Sequence, residues 1–373
     1  MSSDDVRIRV HEMYMQRAIE LARRGWYTAR PNPRVGCVIV AGSRVLGDGW
    51  HVRAGEAHAE RNALADAAAR GHETKGATAY VTLEPCAHTG RTPPCTQALI
   101  EAGIERVVIG AQDPNPAVDG QGIDALRAAG LEVITGVLAE RCAALNAGFN
   151  QRMTGNRPRV RVKLAMSLDG RTAAVDGTSQ WITGDTARDD VHRLRAESGA
   201  VLIGRGTAAA DDPSLTVRLP GDWDQPLRVV LDSGLAMATH AKMFCQPGET
   251  LIFTASDDED KTGALEEAGA RVARLDSDGS GLDLGRVLGL LAEREINDVL
   301  VEAGPTLAGA LTQAGLVDEY IIYVAPQLIG DTGRGLMSLV GAVGLDDATQ
   351  LVFDNVEPVG VDLKITARPS KEN

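Results

Sequence analysis

The sequence predicts an α/β protein of two successive domains, and three observations carry that reading. Short β-prone runs alternate with amphipathic or Ala-rich stretches of helix length along the whole chain. The alternation is interrupted by one polar stretch with a Gly and a Pro, residues 150–159, which reads as a linker. At 373 residues, with 44% hydrophobic and 24% charged side chains, the chain can bury two cores and has the composition of a globular protein. The domains expected are therefore 1–152 and 153–373.

In the first, Met15, Ile19 and Ala22 recur at helical spacing and stop at Gly25, predicting a helix over 11–25. Arg30-Pro31-Asn32-Pro33 fits no regular element and is a fixed loop. Runs 35–40 and 44–48 around Ala41-Gly42-Ser43 predict a hairpin. Residues 58–70 predict a helix with His58 in its first turn, and 77–83 a strand running into Glu84-Pro85-Cys86. Helix 95–102, strand 106–110, helix 121–129 and strand 131–134 follow. In the second domain the expected strands are 160–165, 200–203, 227–231, 251–254, 271–275, 298–302, 320–325 and 361–367. Its helices are 186–197, 261–268 and 283–294, and the partly acidic, Ser/Gly-rich segment 255–282 is expected at the surface.

Composition excludes several classes. The net charge is −13, and the whole deficit falls beyond residue 155. A nucleic-acid binder needs a basic face, because counterion release drives its affinity. Neither part has a basic excess, so a small-molecule substrate is expected and no nucleic acid. No apolar run approaches the ~20 residues of a membrane span, and Met1-Ser2-Ser3-Asp4-Asp5 lacks a signal-peptide pattern. Cys37, Cys142 and Cys245 are scattered and make no disulfide framework. A cytoplasmic location without a membrane partner is the expectation.

The densest chemistry lies between His58-Ala59-Glu60 and Pro85-Cys86, with Cys95 beyond. Zn²⁺ accepts mixed nitrogen and sulfur ligands, and a catalytic site uses three protein ligands and leaves a fourth position to water. His58, Cys86 and Cys95 supply three, for one zinc per chain. Glu60 is not needed as a ligand and is placed to move protons, as the catalytic residue. His-x-Glu followed by Pro-Cys and a second Cys is the signature of zinc-dependent deamination of a nucleobase-like ring. The plainer readings are a structural zinc completed by His88, Cys37 or His51, and a metal-free set of core residues. Structural sites show paired cysteine knuckles, and the second pair is missing.

A second constellation begins at Val299-Leu300-Val301-Glu302, an apolar strand turning through Ala303-Gly304-Pro305 into a helix. Small residues at such a turn let backbone N–H groups approach a phosphate. The turn is neither a dinucleotide fingerprint nor a P-loop, and as plain loop chemistry it is common. Glu302, at the mouth of a sheet, is placed to meet a ligand. Lys163 inside an apolar strand, Ser179-Gln180-Trp181-Ile182-Thr183, and Asp211-Asp212-Pro213 followed by Leu215 and Arg218 are the other unusual features. The plainer readings are capping for the aspartates, core for Trp181 and a solvated face for Arg195 and Arg218. Spacing alone stops at a second ligand site that favours phosphate.

The motifs together resemble the RibD family of riboflavin-biosynthesis proteins, a deaminase fused to a reductase, over about residues 11 to 367. The first half shares Pro31-Asn32-Pro33, Gly49-Trp50-His51, His58-Ala59-Glu60 and Pro85-Cys86 with a distant Cys95. The long insert before Cys95, with Gly90-Arg91-Thr92-Pro93-Pro94, separates the chain from cytidine and tRNA adenosine deaminases. The second half shares Lys163-Leu164-Ala165, Ser167-Leu168-Asp169-Gly170, Ser179 to Thr183, Asp211-Asp212-Pro213 and Glu302-Ala303-Gly304-Pro305-Thr306-Leu307.

The resemblance implies a cytidine-deaminase-like three-layer α/β/α domain followed by a dihydrofolate-reductase-like α/β domain. It implies loss of the ring amine of 2,5-diamino-6-(5-phospho-D-ribosylamino)pyrimidin-4(3H)-one, then NADPH reduction of the ribosyl chain to ribityl. Asn32, His51, His88, Arg91 and Thr92 would hold the pyrimidine and its phosphoribosyl arm. NADPH would lie on Ala165, Trp181, Thr207, Asp211, Ser233, Gly304, Pro305, Thr306, Leu307, Ala308, Gly309 and Ala310. Ser179, Arg195, Leu215, Arg218 and Glu302 would meet the reductase substrate, with both arginines on its phosphate. The proton donor of that step stays open between Lys163, Asp211, Glu302 and water. The family suggests a homo-oligomer, dimer or tetramer. The rival readings are a nucleic-acid deaminase with an appended NADP-binding domain, and a zinc-stabilised or NADP-sensing binding protein without turnover.

Overall fold

Strand periodicity organises both halves of the molecule, because side chains that alternate across a sheet give each face its own helical layer. The computed structural model describes residues 3–87, 93–116, 118–276, 281–341 and 344–370. Two compact units divide at Asn156 and Arg157. Among the described residues no helix is long and apolar enough to cross a membrane.

The first unit runs α1 (Ser3–Ala22), β1 (Gly36–Ala41), β2 (Arg44–Trp50), α2 (Ala59–Ala69), β3 (Thr78–Leu83) and α3 (Cys95–Glu101). It continues with β4 (Arg106–Ala111), α4 (Gln121–Ala128), β5 (Glu132–Thr135), α5 (Ala139–Ala144) and α6 (Ala147–Gly155). The sheet order is β2-β1-β3-β4-β5. β1 is antiparallel to both neighbours, and β3, β4 and β5 are parallel. Cys37, Ile39, Ala79, Val81, Val107 and Ile109 pack with residues of α2, α3 and α4. The alternate positions Val38, Val40, Tyr80 and Val108 pack with α1 and α5. The result is three layers, α/β/α. Helix α2, which bears the Glu60 side chain, presses directly on β2: a Cβ at Gly49 would stand 2.5 Å from Ala63 N, and one at Gly47 2.4 Å from Ala63 O.

The second unit comprises β6 (Arg159–Ser167), β7 (Arg171–Ala173), α7 (Asp185–Glu197), β8 (Ala200–Gly204), α8 (Arg205–Asp211), β9 (Leu227–Leu231), β10 (Thr250–Thr254), α9 (Glu259–Glu267) and β11 (Arg271–Arg274). It ends with α10 (Leu284–Glu293), β12 (Asp298–Val301), α11 (Pro305–Gln313), β13 (Glu319–Ala325), β14 (Arg334–Gly335), β15 (Leu351–Val359) and β16 (Asp362–Pro369). The nine-stranded order is β11-β10-β9-β8-β12-β6-β13-β16-β15, with β7 and β14 paired apart. All pairs from β11 to β13 are parallel, and β16 and β15 close the sheet antiparallel. Val160, Val162, Leu202, Val229 and Val301 pack with α10 and α11. Val201, Ile203, Val230, Leu300 and Ile321 pack with α7, α8 and α9. The chain moves outward to β11 and then returns to insert β12 between β8 and β6. At such a reversal the carboxyl ends of the strands are where ligands of open α/β sheets bind.

Several elements differ from the expectation. Most of the polar stretch 150–159 is helical, since α6 continues to Gly155 and Asn156 ends it in the left-handed region, φ 52°. The short helices α5 and α8 and the edge strand β15 were not predicted. Almost all of β15 is exposed, so it has no apolar–polar alternation to read. Gly49→Ala should lower stability by about 1–3 kcal/mol through overpacking against α2, measured by urea unfolding. An unchanged midpoint would mean that the helix gives way at no cost.

Candidate functional site

The carboxyl end of β3 and the starts of two helices converge in the first unit. His58 is the N-cap of α2, Cys95 is the first residue of α3, and Cys86 follows β3. Their donor atoms lie within 4.8 Å of one another. His58 Nδ1 stands 3.6 Å from Cys86 Sγ and 3.3 Å from Cys95 Sγ. Tetrahedral zinc, with Zn–S about 2.3 Å and Zn–N about 2.0 Å, sets nitrogen and sulfur roughly 3.6 Å apart. The three side chains therefore fit zinc. A hydrogen bond with Cys95 is the largest influence on Cys86; burial opposes it, His58 adds to it, and the thiol is pulled down to about 4. The same bond, followed by burial, raises Cys95. A divalent cation deprotonates a coordinating thiol outright.

Glu60, in the first turn of α2, is 3% exposed. Burial pushes its carboxyl up to about 7, the range in which a group exchanges protons at neutral pH. His51 is 2% exposed and packs edge-on to His58, with ring centroids 5.3 Å apart. His51 Nδ1 faces the Ala57 carbonyl at 3.1 Å and therefore carries the proton. Its Nε2 then accepts from the Asn32 amide at 3.1 Å. Burial lowers the His51 pKa, which keeps this neutral form. Asn32, His51, His58, Glu60, Cys86 and Cys95 thus form one site. His88, Arg91 and Thr92 lie outside the described residues.

In the second unit, Glu302 follows β12 and Arg195 comes from α7. The guanidinium donates from Nε to Oε1 at 2.6 Å and from Nη2 to Oε2 at 2.9 Å, and from Nη1 to the Thr216 carbonyl at 2.9 Å. The family resemblance implied both arginines on a phosphate; here Arg195 is held by Glu302, and Arg218 is the exposed one. Burial alone would raise Glu302, but Arg195 outweighs it and the carboxyl is held low. Lys163, on β6, is lowered by burial and partly restored by the field of Glu302. His192 was missed: its Nδ1 lies 3.1 Å from Thr216 O and 3.3 Å from Arg218 N, steadying the loop that bears Arg218. A histidine within a helix carries no sequence signal for that task.

The other expected residues fall into two groups. Thr207 on α8, Asp211 at its end, Ser233 after β9 and the turn at Gly304 all stand beyond the carboxyl ends of parallel strands, with Ala165 near the end of β6. Gly304 is the N-cap of α11 without a side-chain cap, and a Cβ there would meet nothing within 4 Å. That open helix start, followed by Pro305, Thr306 and Leu307, suits a phosphate-bearing cofactor. Ala308 and Gly309 turn inward, Ala308 into the core and Gly309 onto Ser338 O, while Ala310 is exposed. Ser179 is half-buried, and Trp181 is exposed with the Arg188 guanidinium 4.6 Å over its ring. Leu215 is 2% exposed in the core, with a left-handed φ of 52° that a leucine adopts only where its surroundings impose it.

A deaminase unit built on a His-Cys-Cys zinc site, followed by a reductase unit on a largely parallel sheet, is the class that fold and site define. Residues 8–111 match the cytidine and deoxycytidylate deaminase zinc-binding region, and residues 158–365 match the RibD C-terminal domain. The chain is 47% identical over 368 residues to the riboflavin biosynthesis protein RibD of Escherichia coli K12, covering 94% of this chain and 97% of that one. It is 45% identical to RibD of Haemophilus influenzae, covering 96% and 97%. Among solved structures it is similar to Acinetobacter baumannii RibD, with TM-score 0.89 and 41% identity, covering 98% and 100%. A Thermotoga maritima diaminohydroxyphosphoribosylaminopyrimidine deaminase/5-amino-6-(5-phosphoribosylamino)uracil reductase superposes with TM-score 0.86 at 36% identity, covering 98% and 100%. The chain belongs to the RibD family of riboflavin biosynthesis proteins.

Because the Glu302 pKa is depressed on folding, its stabilising contribution is complete above the ordinary glutamate value, about 4.3, and is lost as pH falls through the depressed value. Arg195→Ala should therefore destabilise the second unit by about 3–5 kcal/mol at neutral pH, since it strands a buried carboxylate. The gap from the parent should narrow on acidification below that value. Denaturant unfolding at the two pH values checks this, and a pH-independent gap would contradict it.

Proposed function

We propose that this chain deaminates 2,5-diamino-6-(5-phospho-D-ribosylamino)pyrimidin-4(3H)-one and then reduces the ribosyl chain of the resulting uracil with NADPH to the ribityl product. The observation that carries the reading is the buried Glu60 carboxylate beside the His58, Cys86 and Cys95 donors. When bound, zinc supplies a Lewis acid that lowers the pKa of water. Glu60 takes the two protons of the attacking water in turn, giving one to the ring nitrogen and one to the departing amine. One C–O bond forms, one C–N bond breaks, and ammonia leaves. Asn32 and the neutral His51 hold the pyrimidine. Arg91, with His88 and Thr92, is assigned the phosphoribosyl arm on the family pattern alone.

In the second unit NADPH supplies hydride when bound. The open start of α11, Thr207, Asp211 and Ser233 hold the cofactor, and Trp181 and Ala165 border it. Arg218 takes the substrate phosphate, Arg195 orients Glu302 toward the sugar, and Ser179 and the backbone at Leu215 complete the pocket. C1 of the ring-opened imine is the hydride acceptor, and the proton for its nitrogen comes from Lys163, Asp211, Glu302 or water. The partners are small molecules rather than nucleic acid, consistent with the absent basic excess, and the location is the cytoplasm. Edge strand β15 exposes Leu351, Val352, Phe353 and Val356. Among the described residues it pairs only with β16, and such an edge supports assembly of identical chains as dimer or tetramer.

Glu60→Gln should keep zinc and NADPH-dependent reduction while deamination falls by about 10²–10⁴-fold, the usual worth of a positioned acid–base group. Ammonia release near the parent rate from a zinc-replete variant would remove Glu60 from its role.

A further inference from the structure

We propose that Glu84 is a positioning residue of the deaminase, fixing the main chain of Cys86 and with it the geometry at which that thiolate meets zinc. The inference rests on the zinc-deaminase reading and adds a residue to it. Glu84 lies between β3 and Pro85-Cys86 and is 4% exposed. Its Oε1 accepts the N–H groups of Gly122 at 2.9 Å and Ile123 at 3.2 Å. Its Oε2 accepts those of Asp113 at 3.2 Å and Gly120 at 3.1 Å. One carboxylate thus gathers four main-chain donors from the turn after β4 and the start of α4.

The reason is visible in α4 itself. Its N-cap is Gly120, left-handed at φ 86°, with no side chain to cap the helix. The first N–H groups of a helix need acceptors, and negative charge is favoured beside them. Glu84 supplies both from a strand far away in sequence. The contact is tight enough to locate the neighbouring residues too, since a Cβ at Gly122 would stand 2.0 Å from Pro85 O. On the other side the Cys86 carbonyl accepts the N–H and the hydroxyl of Thr96, each at 3.2 Å. Cys95 N–H donates to Cys86 Sγ at 3.4 Å. Cys86 is therefore held between the Glu84 clamp and α3, and loosening the clamp moves its sulfur relative to His58 and Cys95.

Glu84→Gln keeps the shape but turns an amide group toward two N–H donors. In the full-length protein, zinc affinity by chelator competition and the visible spectrum of the Co²⁺-substituted site report the ligand geometry. A thermal melt of the first unit serves as its folding control, and NADPH-dependent reduction serves as the control for the second unit. The expected result is zinc affinity lowered by about 10–100-fold, as for other residues that support metal ligands, with an altered Co²⁺ spectrum and unchanged reduction. Glu84→Asp, which keeps the charge on a shorter arm, should fall in between. Parent-like zinc affinity and spectrum in Glu84→Gln, even with a lower melting temperature, would reduce Glu84 to a helix cap and overturn the proposal. Failure of both variants to fold the first unit would overturn it equally. A parent protein that binds no zinc would instead refute the deaminase reading itself.

Discussion

His58, Cys86 and Cys95 come from three separate segments, and the first unit depends on bringing their donor atoms within 4.8 Å of one another. No local structure can do this; the ligands belong to the N-cap of one helix, the exit of a strand and the first turn of another helix. The sheet supplies the fixed distance between them. Gly47 and Gly49 let α2 approach β2, which sets His58 and Glu60. β3 delivers Cys86, and its carbonyl is tied to Thr96 of α3, next to Cys95. Three thin connections thus become one rigid donor set, and the buried carboxylate beside it can exchange protons near neutral pH.

The second unit solves a different problem with the same geometry. Its chemistry also stands at the carboxyl ends of parallel strands, but what organises it is charge rather than a metal. Inserting β12 between β8 and β6 puts Glu302 within reach of Arg195 and in the field of Lys163. Burial there would raise the carboxyl, and the bidentate Arg195 pair, helped by the fields of Lys163 and His192, holds it low instead. Arg195 is therefore part of how Glu302 is held, whereas Arg218 is exposed.

Much of this was legible in the sequence. The hairpin around Gly42, the helix beginning at His58 and the strand before Glu84 lie where periodicity and turn residues put them, because each buries one clear face. The cluster of His58, Cys86 and Cys95 was legible because a zinc site demands particular residue types, and the structure brings these three together. Elements without such signals were missed. α5 starts after Leu138 in the left-handed region, and α6 is polar enough to read as a linker. β15 lies in solvent on both faces and obeys no alternation. The Arg195–Glu302 pair joins residues 107 apart, a distance over which spacing carries no information. Leu215 puts its side chain into the core and leaves only its backbone to meet a ligand, a distinction that a leucine in a loop does not show in sequence.

The most direct test of two working sites used in order is to incubate the zinc-loaded protein with the diaminopyrimidine phosphoribosyl substrate, with and without NADPH, following ammonia and NADPH absorbance together. Ammonia should appear without NADPH, and NADPH should be consumed only after ammonia has been released. NADPH oxidation that precedes or proceeds without deamination would contradict the order, and no ammonia from folded, zinc-replete protein would contradict the assignment of Glu60 and its three neighbours.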